Sequence, residues 1–548
     1  MKIKKMMKHL FMLLLITAMV LPWMAEVNTV KAVDPNTEIK NGTITITKYE
    51  GTTSTWDDFD EVQTAPTSGT KLDGVTFKTI KVADIVSGDD GRVMYKITSE
   101  LATLLGNPFS ANGTYSSTGL QSALQSVSDL QANAETVVAS GRSATTGDGS
   151  NAEGVAKFEN LTNGLYLVVE TATPADVTSK SVPFFVSMPS IVNNANGNTT
   201  WTSDVNAYPK NNVGNAEINK EVEGTNKTWT TATTNDEIEY KLNFTVPVPA
   251  DGLKQLYVID NLPDRLTYKA GTLKVYTDSN YSSELATSNY WVYNPDGELK
   301  VWFKDTYLDT IKTTSLQLYI QYTCTLDEDA TLGSAGNTNT ATLYYSNAGL
   351  SDTEQPSDPE AETNPDTDGP TPSDTIPPAS EDSGEVKVYT YGIDIKKQNA
   401  GSETLSNVVF KLYSDVQCST EVFANKEYKT GTDGKAQITG LAAGTYYLKE
   451  TKTNNGYVLL KDPIKIEISA EQKADGTVTA SAQVNDGTKT SLVDGDGYLN
   501  AFVELTVVND KGFSLPTTGA EGTAMFAFLG IFLVIVAGTL LIIKKRQR

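Results

Sequence analysis

Two periods run through the chain. Over most of its length apolar residues recur at every second position, as in Ile44-Thr45-Ile46-Thr47, in Leu316-Gln317-Leu318-Tyr319-Ile320-Gln321-Tyr322 and in Ile464-Lys465-Ile466-Glu467-Ile468. Side chains of a strand alternate between its two faces, so this pattern predicts half-buried β-strands. Thr, Val, Tyr and Ile fill the runs, and clusters of Gly, Asn and Asp separate them. Many short strands at such spacing predict an all-β protein of tandem, Ig-like β-sandwich domains. One stretch departs from the pattern: between Arg92 and Ala139, Leu101, Leu104 and Leu105, then Leu120, Leu124 and Val127, fall at helical spacing. It predicts a partly helical insertion in the first domain. At the far end, residues 524–543 form a run of 20 residues without charge. At about 1.5 Å per residue such a helix is long enough to cross a bilayer.

The strand pattern divides into domains at 33–211, 212–350 and 386–510. Between the last two, residues 351–385 hold seven Pro and eleven Asp or Glu, with no Lys or Arg. Such a segment buries too little apolar surface to fold alone and favours an extended chain, so it reads as a linker or an exposed excursion. The first and last domains repeat one another. Phe158-Glu159-Asn160-Leu161-Thr162-Asn163-Gly164-Leu165-Tyr166, continuing to Glu170-Thr171, matches Ile438-Thr439-Gly440-Leu441-Ala442-Ala443-Gly444-Thr445-Tyr446, continuing to Glu450-Thr451. Upstream, Phe77-Lys78 matches Phe410-Lys411, and Ile44-x-Ile46-x-Lys48 matches Ile393-x-Ile395-x-Lys397. Phe77 to Phe158 is 81 residues and Phe410 to Ile438 is 28, so the first copy carries 53 extra residues, which include the helical stretch.

The repeat places a lysine where none is expected. Lys397 keeps the parity of Ile393 and Ile395, and Lys48 that of Ile44 and Ile46, so both face the core if the isoleucines do. Glu450 shares parity with Tyr446 and Leu448, and Asn509 with Leu505 and Val507. Burying an ammonium is costly unless it is paired or neutralised, and burial lowers a lysine pKa. Two arrangements satisfy this parity. One is a buried Lys–Glu ion pair with a hydrogen-bonding Asn. The other is a reactive set, in which a neutral amine attacks the Asn carboxamide, the acid shuttles protons, and ammonia leaves behind an amide cross-link. Lys396 has outward parity.

Composition narrows the chemistry. The chain has 548 residues, a net charge of −23, two Cys and one His, which is His9. Without a histidine in its body it has no base for Ser-His-Asp or Cys-His catalysis, and little from which to build a zinc site. The acidic balance argues against a nucleic-acid partner. Cys324 and Cys418 fall in different domains and read as unpaired thiols; a disulfide would need their Cα atoms within about 7 Å. Residues 1–32 read as a secretory signal: Lys2, Lys4, Lys5 and Lys8, an apolar run over 9–19, and the small-residue exit Val30-Lys31-Ala32, with cleavage after Ala32. At the other end Leu515-Pro516-Thr517-Thr518-Gly519 precedes the 524–543 span, and the basic tail 544–548 follows it as a cytoplasmic stop. The segments 1–32 and 519–548 carry net +4 and +3, which leaves −30 on residues 33–518.

That C-terminal triplet resembles the sorting signal of Gram-positive surface proteins, Leu-Pro-x-Thr-Gly. The resemblance implies that a sortase cuts between Thr518 and Gly519, passes the Thr518 carbonyl to an amine, and discards the span. The last domain resembles the CnaB-type domains of Gram-positive pilins and adhesins, through the box Tyr446-x-Leu448-x-Glu450-Thr451. That resemblance implies a Lys397–Asn509 isopeptide bond promoted by Glu450. By position in the repeat, Lys48 and Glu170 belong to the first domain's equivalent. Its asparagine must lie on the closing strand Val205-Asn206-Ala207-Tyr208-Pro209-Lys210-Asn211, where an inward apolar face puts Asn211 toward Lys48 and Lys210 outward. The middle domain lacks the Glu box. Ile218-x-Lys220 repeats the first-strand pattern, Asn339-x-Ala341-x-Leu343 offers an inward Asn, and Val258-x-Asp260 offers an acid. In the related pilins the middle domain uses an Asp, so the expected set is Lys220, Asn339 and Asp260, with Asn337 the alternative Asn.

Tyr208-Pro209-Lys210-Asn211 is similar to the pilin motif of sortase-assembled pili, which implies that the Lys210 amine receives Thr518 of the next copy, head to tail. The expectation is therefore a secreted, wall-anchored structural protein, the backbone subunit of a covalent pilus. It would not be an enzyme and would need no cofactor or metal. Its partners would be pilin-specific and housekeeping sortases, copies of itself, accessory pilins and peptidoglycan. The alternative is a wall-anchored adhesin, or a minor tip or base pilin, that is not itself polymerised.

Overall fold

In the computed structural model the described residues are 41–512, apart from 53, 55–64, 67, 89–91, 194–198, 225–226, 295–296, 349–378 and 496–497, together with 521–546. The expected signal segment and the 515–519 motif lie outside them. The all-β expectation holds: paired sheets enclose separate apolar cores in each of three units.

In the first unit the strands Asp204–Ala207, Gly42–Thr47 and Val155–Leu161 form one sheet. Phe184–Met188, Gly164–Ala172, Thr76–Ser87 and Val93–Ile97 form the other. Ile44, Ile46, Phe77, Phe158, Val168 and Val205 pack between them. The second sheet is also covered on its outer face. Helices Ser99–Leu105, Ser117–Gln125 and Leu130–Val138 press Leu101, Leu120, Leu124 and Val138 onto Val82, Leu165, Leu167 and Val169. Gly164–Ala172 is accordingly buried over seven consecutive residues, as a strand covered on both faces must be. The insertion opens with the strand Val93–Ile97 rather than with a helix, and Val127 lies between two helices.

The repeat between first and last units extends to register. Ile44 sits opposite Phe158 and Phe77 opposite Glu170; Ile393 sits opposite Ile438 and Phe410 opposite Glu450. In both units the first strand pairs parallel with the closing one, Ile44 with Val205 and Ile393 with Val503.

The middle unit is wired differently. Its first strand, Glu217–Val222, pairs antiparallel with Glu237–Pro247, and Asn337–Ser346 lies in the opposite sheet beside Gln255–Asn261. The boundary expected at 386 shifts. Val386–Tyr389 pairs with Asn337–Ser346, and Val386 and Val388 sit in the middle core. The strand Ala379–Asp382 joins the same sheet. Of the expected linker, 351–378 lies outside the described residues, and the third unit begins at the strand Tyr391–Asn399. Only Thr390, fully buried, separates the two domains' strands.

Both joints are packed. Asn347 Nδ2 donates to Thr173 O at 2.6 Å, and Lys180 pairs with Asp251 at 2.6 Å, across the first. At the second, Thr234 N donates to Gly440 O at 3.0 Å and Gly333 N to Thr390 O at 2.9 Å. Gly333 has φ +76°, and a Cβ there would lie 1.9 Å from Leu499 O, so no other residue fits without opening the joint. The last described element is a helix, Glu521–Arg546, in which an 18-residue window reaches a mean hydropathy of 2.9.

Candidate functional site

Each unit buries one lysine beside one acid and one asparagine. In the first unit alternation along Gly42–Thr47 carries inward parity to Lys48, and along the closing strand to Asn211; both are 0% exposed and Glu170 is 1% exposed. Parallel pairing sets Asn211 opposite Glu50, two residues beyond Lys48, so the long lysine side chain reaches the carboxamide diagonally. Lys48 Nζ lies 2.7 Å from Glu170 Oε2 and 2.6 Å from Asn211 Oδ1. Asn211 Nδ2 donates to the other carboxylate oxygen, Oε1. The amine thus sits at the carbonyl side of the amide, while the acid touches both the amine and the amide's NH2. Burial pushes the Lys48 pKa down from 10.5 to about 8, against the opposing pull of Glu170. Phe77 faces the amine with its ring centroid at 5.6 Å.

The third unit repeats this geometry. Asn509 stands opposite Asn399, again two residues beyond its lysine. Lys397 Nζ donates to Asn509 Oδ1 and lies 3.5 Å from Glu450 Oε1. Asn509 Nδ2 donates to the same Oε1 at 2.8 Å. All three residues are buried, and desolvation again lowers the lysine pKa, with Glu450 opposing it. Lys396 points outward and is exposed.

The middle unit brings its set together from opposite sheets. Lys220 pairs with Asp260 at 2.5 Å, and both are buried. The Tyr322 hydroxyl donates to Asp260 Oδ2 and accepts from Asn339 Nδ2 at 3.2 Å. Tyr322 therefore bridges the acid and the amide. The rings of Tyr240 and Tyr322 stack at 5.4 Å and flank the amine at 5.5 and 5.8 Å. Desolvation lowers the Lys220 pKa, Asp260 opposing. Asn339 Oδ1 and Asp260 Oδ1 are buried without hydrogen-bond partners among the described residues. Asn337, the alternative, is engaged by backbone: it donates to Thr331 O and Val388 O at 3.0 Å and accepts from Thr331 N at 2.9 Å. It ties the last middle strand in place and lies outside the Lys220–Asp260–Asn339 set.

Sequence reasoning missed the residues that hold these acids and amides. Ser181 touches all three members of the first set. Thr453 Oγ1 accepts from Asn509 Nδ2 at 2.8 Å, and Leu460 N donates to Glu450 Oε2 at 2.9 Å. Tyr322 was open to the parity argument, since it follows Leu318 and Ile320 on the inward face. Ser181 and Leu460 lie in loops that have no period.

Lys210 is the counterpart of Asn211 on the other face of Lys210–Val213. Its backbone is fixed, N donating to Ser54 Oγ at 2.7 Å and O accepting from Ser54 N at 3.0 Å. Among the described residues its amine has no ion-pair partner. Cys324 and Cys418 are both free.

The chain is similar to known proteins. A family model for the Gram-positive pilin subunit D1, N-terminal domain, matches residues 25–212. One for a prealbumin-like fold domain matches 392–483, and one for the LPXTG cell wall anchor motif matches 507–548. The fimbrial subunit type 2 of Actinomyces naeslundii is 24% identical over 432 residues, 74% of each chain. The trypsin-resistant surface T6 protein of Streptococcus pyogenes serotype M6 is 24% identical over 386 residues, 60% of this chain and 68% of its own. The full-length RrgB pilus protein from Streptococcus pneumoniae superposes with a TM-score of 0.50 at 17% identity, covering 87% of this chain and 99% of its own, a likeness of fold. With pilin and anchor families matching its two ends and fimbrial subunits aligning along most of its length, the chain belongs to the LPXTG-anchored pilin subunits of Gram-positive bacteria.

Proposed function

We propose that this pilin is the backbone subunit of a covalently polymerised, wall-anchored pilus, and that it cross-links itself through Lys48–Asn211, Lys220–Asn339 and Lys397–Asn509. The observation that carries the reading is the alternation at Lys210-Asn211. One strand presents an amide to a buried lysine and, at the adjoining position, turns the half-buried Lys210 to its opposite face. Internal and intersubunit bonds are then made from opposite faces of the same strand.

The internal chemistry is a single turnover. The lysine ammonium gives one proton to the carboxylate, and the amine attacks Cγ of the asparagine. As the new C–N bond forms, the acid returns its proton to Nδ2, the old C–N bond breaks, and the nitrogen departs with the amine's surplus proton as ammonium. The buried charge of the lysine leaves with it, so the lysine's own desolvation cost is removed, while the acid remains a carboxylate. Asp260 serves as the acid in the middle unit, with Glu170 and Glu450 in the outer two.

Between subunits, a sortase cuts the Leu515-Pro516-Thr517-Thr518-Gly519 motif after Thr518 and transfers the carbonyl to Lys210 of a neighbour. A head-to-tail contact of this kind does not close and so builds a filament. The apolar helix and its basic end hold the precursor in the membrane until cleavage, and the last transfer is to peptidoglycan. Replacing Lys210 by Arg, which keeps the charge but not the nucleophile, is expected to collapse the high-mass ladder of wall extracts to monomer. A surviving ladder would move the nucleophile elsewhere and favour an anchored adhesin or minor pilin.

A further inference from the structure

The three cross-linking sets each include a hydroxyl residue that the lysine–acid–asparagine scheme does not use. Of these, Ser181 makes the fullest set of contacts. It follows the strand Val177–Ser179, is 1% exposed, and lies ten or more residues from every other member of its set. Its hydroxyl donates to Glu170 Oε2 at 2.6 Å and accepts from Lys48 Nζ at 3.1 Å. Its backbone N–H donates to Asn211 Oδ1 at 3.0 Å and lies 3.3 Å from Glu170 Oε2.

We propose that Ser181 is a fourth catalytic residue of the first domain's cross-linking reaction, its backbone N–H binding the oxyanion that develops on Asn211 and its hydroxyl fixing Glu170 beside the amine. This rests on the reading that Lys48 and Asn211 become joined. When Nζ attacks Cγ, negative charge develops on Oδ1. The Ser181 N–H is already at hydrogen-bond distance from that oxygen, and both residues are buried. A preorganised donor of this kind stabilises the tetrahedral intermediate without reorganisation. The hydroxyl acts on the acid. By holding Oε2, which faces Lys48, it leaves Oε1 against Nδ2, the atom that must receive the proton. The Ser181 proton remains its own at the end of the step: the hydroxyl may be replaced in its role by another hydroxyl, but not by a methyl group.

The other two sets divide these duties differently. In the third domain Leu460 N donates to the acid and Thr453 Oγ1 accepts from the departing NH2. In the middle domain the Tyr322 hydroxyl contacts both acid and amide. Only the first set, among the described residues, brings a backbone N–H to the oxygen of the attacked amide. This gives the test an internal control, since one chain carries all three reactions.

The experiment follows cross-linking in freshly synthesised full-length chain by peptide mass spectrometry, reading the three linked peptides separately against time. Ser181→Ala keeps the N–H and deletes the hydroxyl. A hydrogen bond to a charged group is worth roughly a ten- to hundred-fold change in rate, and that slowing is expected for the Lys48–Asn211 link alone. The Lys220–Asn339 and Lys397–Asn509 links should keep wild-type timing, and Ser181→Thr should restore the first. A first link that forms at the wild-type rate in Ser181→Ala would overturn the role proposed for the hydroxyl, as would a slow one that Thr fails to rescue. If instead the wild-type chain never forms the Lys48–Asn211 peptide, the failure lies in the cross-linking reading itself.

Discussion

A lysine amine held out of water changes what it can do. At the surface it is a solvated cation; beside Glu170 and Asn211 it shares one proton with the acid, as ammonium–carboxylate or as amine–carboxylic acid. In the proposed reaction the second form is the reactive one, and both contain the same number of protons. Loss of that proton leaves amine and carboxylate, a pair without an acid to protonate the leaving group. Because burial brings the Lys48 pKa to about 8, the first-domain link is expected to form at a steady rate below pH 8 and to slow above it. The decline should approach about ten-fold per pH unit, the slope of a single required proton. Timed peptide mapping between pH 6 and 10 checks this, and a rate that climbs through pH 10 would mean that the neutral amine alone suffices. At this scale much was legible in the sequence. Lys48, Lys397, Glu450 and Asn509 betray themselves by keeping the parity of their apolar neighbours, a choice that makes sense only if something compensates the buried charge. Ser181 was not legible, because it stands in a loop where side-chain direction is not set by a period.

At the scale of elements, register decides which partners meet. Parallel pairing of first and closing strands puts each asparagine two residues past its lysine, in both the first and third domains. The opposite sheet delivers the glutamate, with Phe77 or Phe410 paired across from it. The repeated Gly-x-Tyr-x-x-x-Glu frame carries this geometry, so the kinship of the two domains could be read without coordinates. The middle domain could not be read that way, since its lysine strand pairs antiparallel and its asparagine comes from the other sheet. The error at residue 386 has a similar cause. Val386-x-Val388 and Ile393-x-Ile395 alternate alike, and a period does not say which core a strand enters. A cross-link between Lys397 and Asn509 closes a loop of 112 residues. If it acts as a disulfide of that span does, it contributes about 4–5 kcal/mol by restricting the unfolded chain. Glu450→Ala is therefore expected to leave the third domain at full mass and to lower its melting temperature, while the first domain's transition is unchanged. A Glu450→Ala chain that still loses ammonia from this domain would remove Glu450 from the chemistry.

The whole molecule is a row of sandwiches with little freedom at its joints. Thr390 alone separates the strands of the second and third domains, and Gly333 packs against Leu499 where no side chain fits. Tension entering at one end of such a row passes through the strands that carry the proposed bonds, because in the outer domains the cross-link joins the first strand to the last. Between subunits the path would run through Lys210, beside Asn211, and out through Thr518. The absence of histidine from residues 33–518 fits this design, because each proposed internal bond calls only for a lysine, an asparagine amide and a buried acid. A net charge of −30 on that span would make neighbouring copies of the proposed shaft repel one another. Peptide mapping of purified polymer reads all of it at once. The account predicts four linked peptides, joining Lys48 to Asn211, Lys220 to Asn339, Lys397 to Asn509, and Lys210 to Thr518 of another copy, each internal link lighter by one ammonia than the sum of its parts. Recovery of these four lysines as free amines, in polymer of full length, would contradict it.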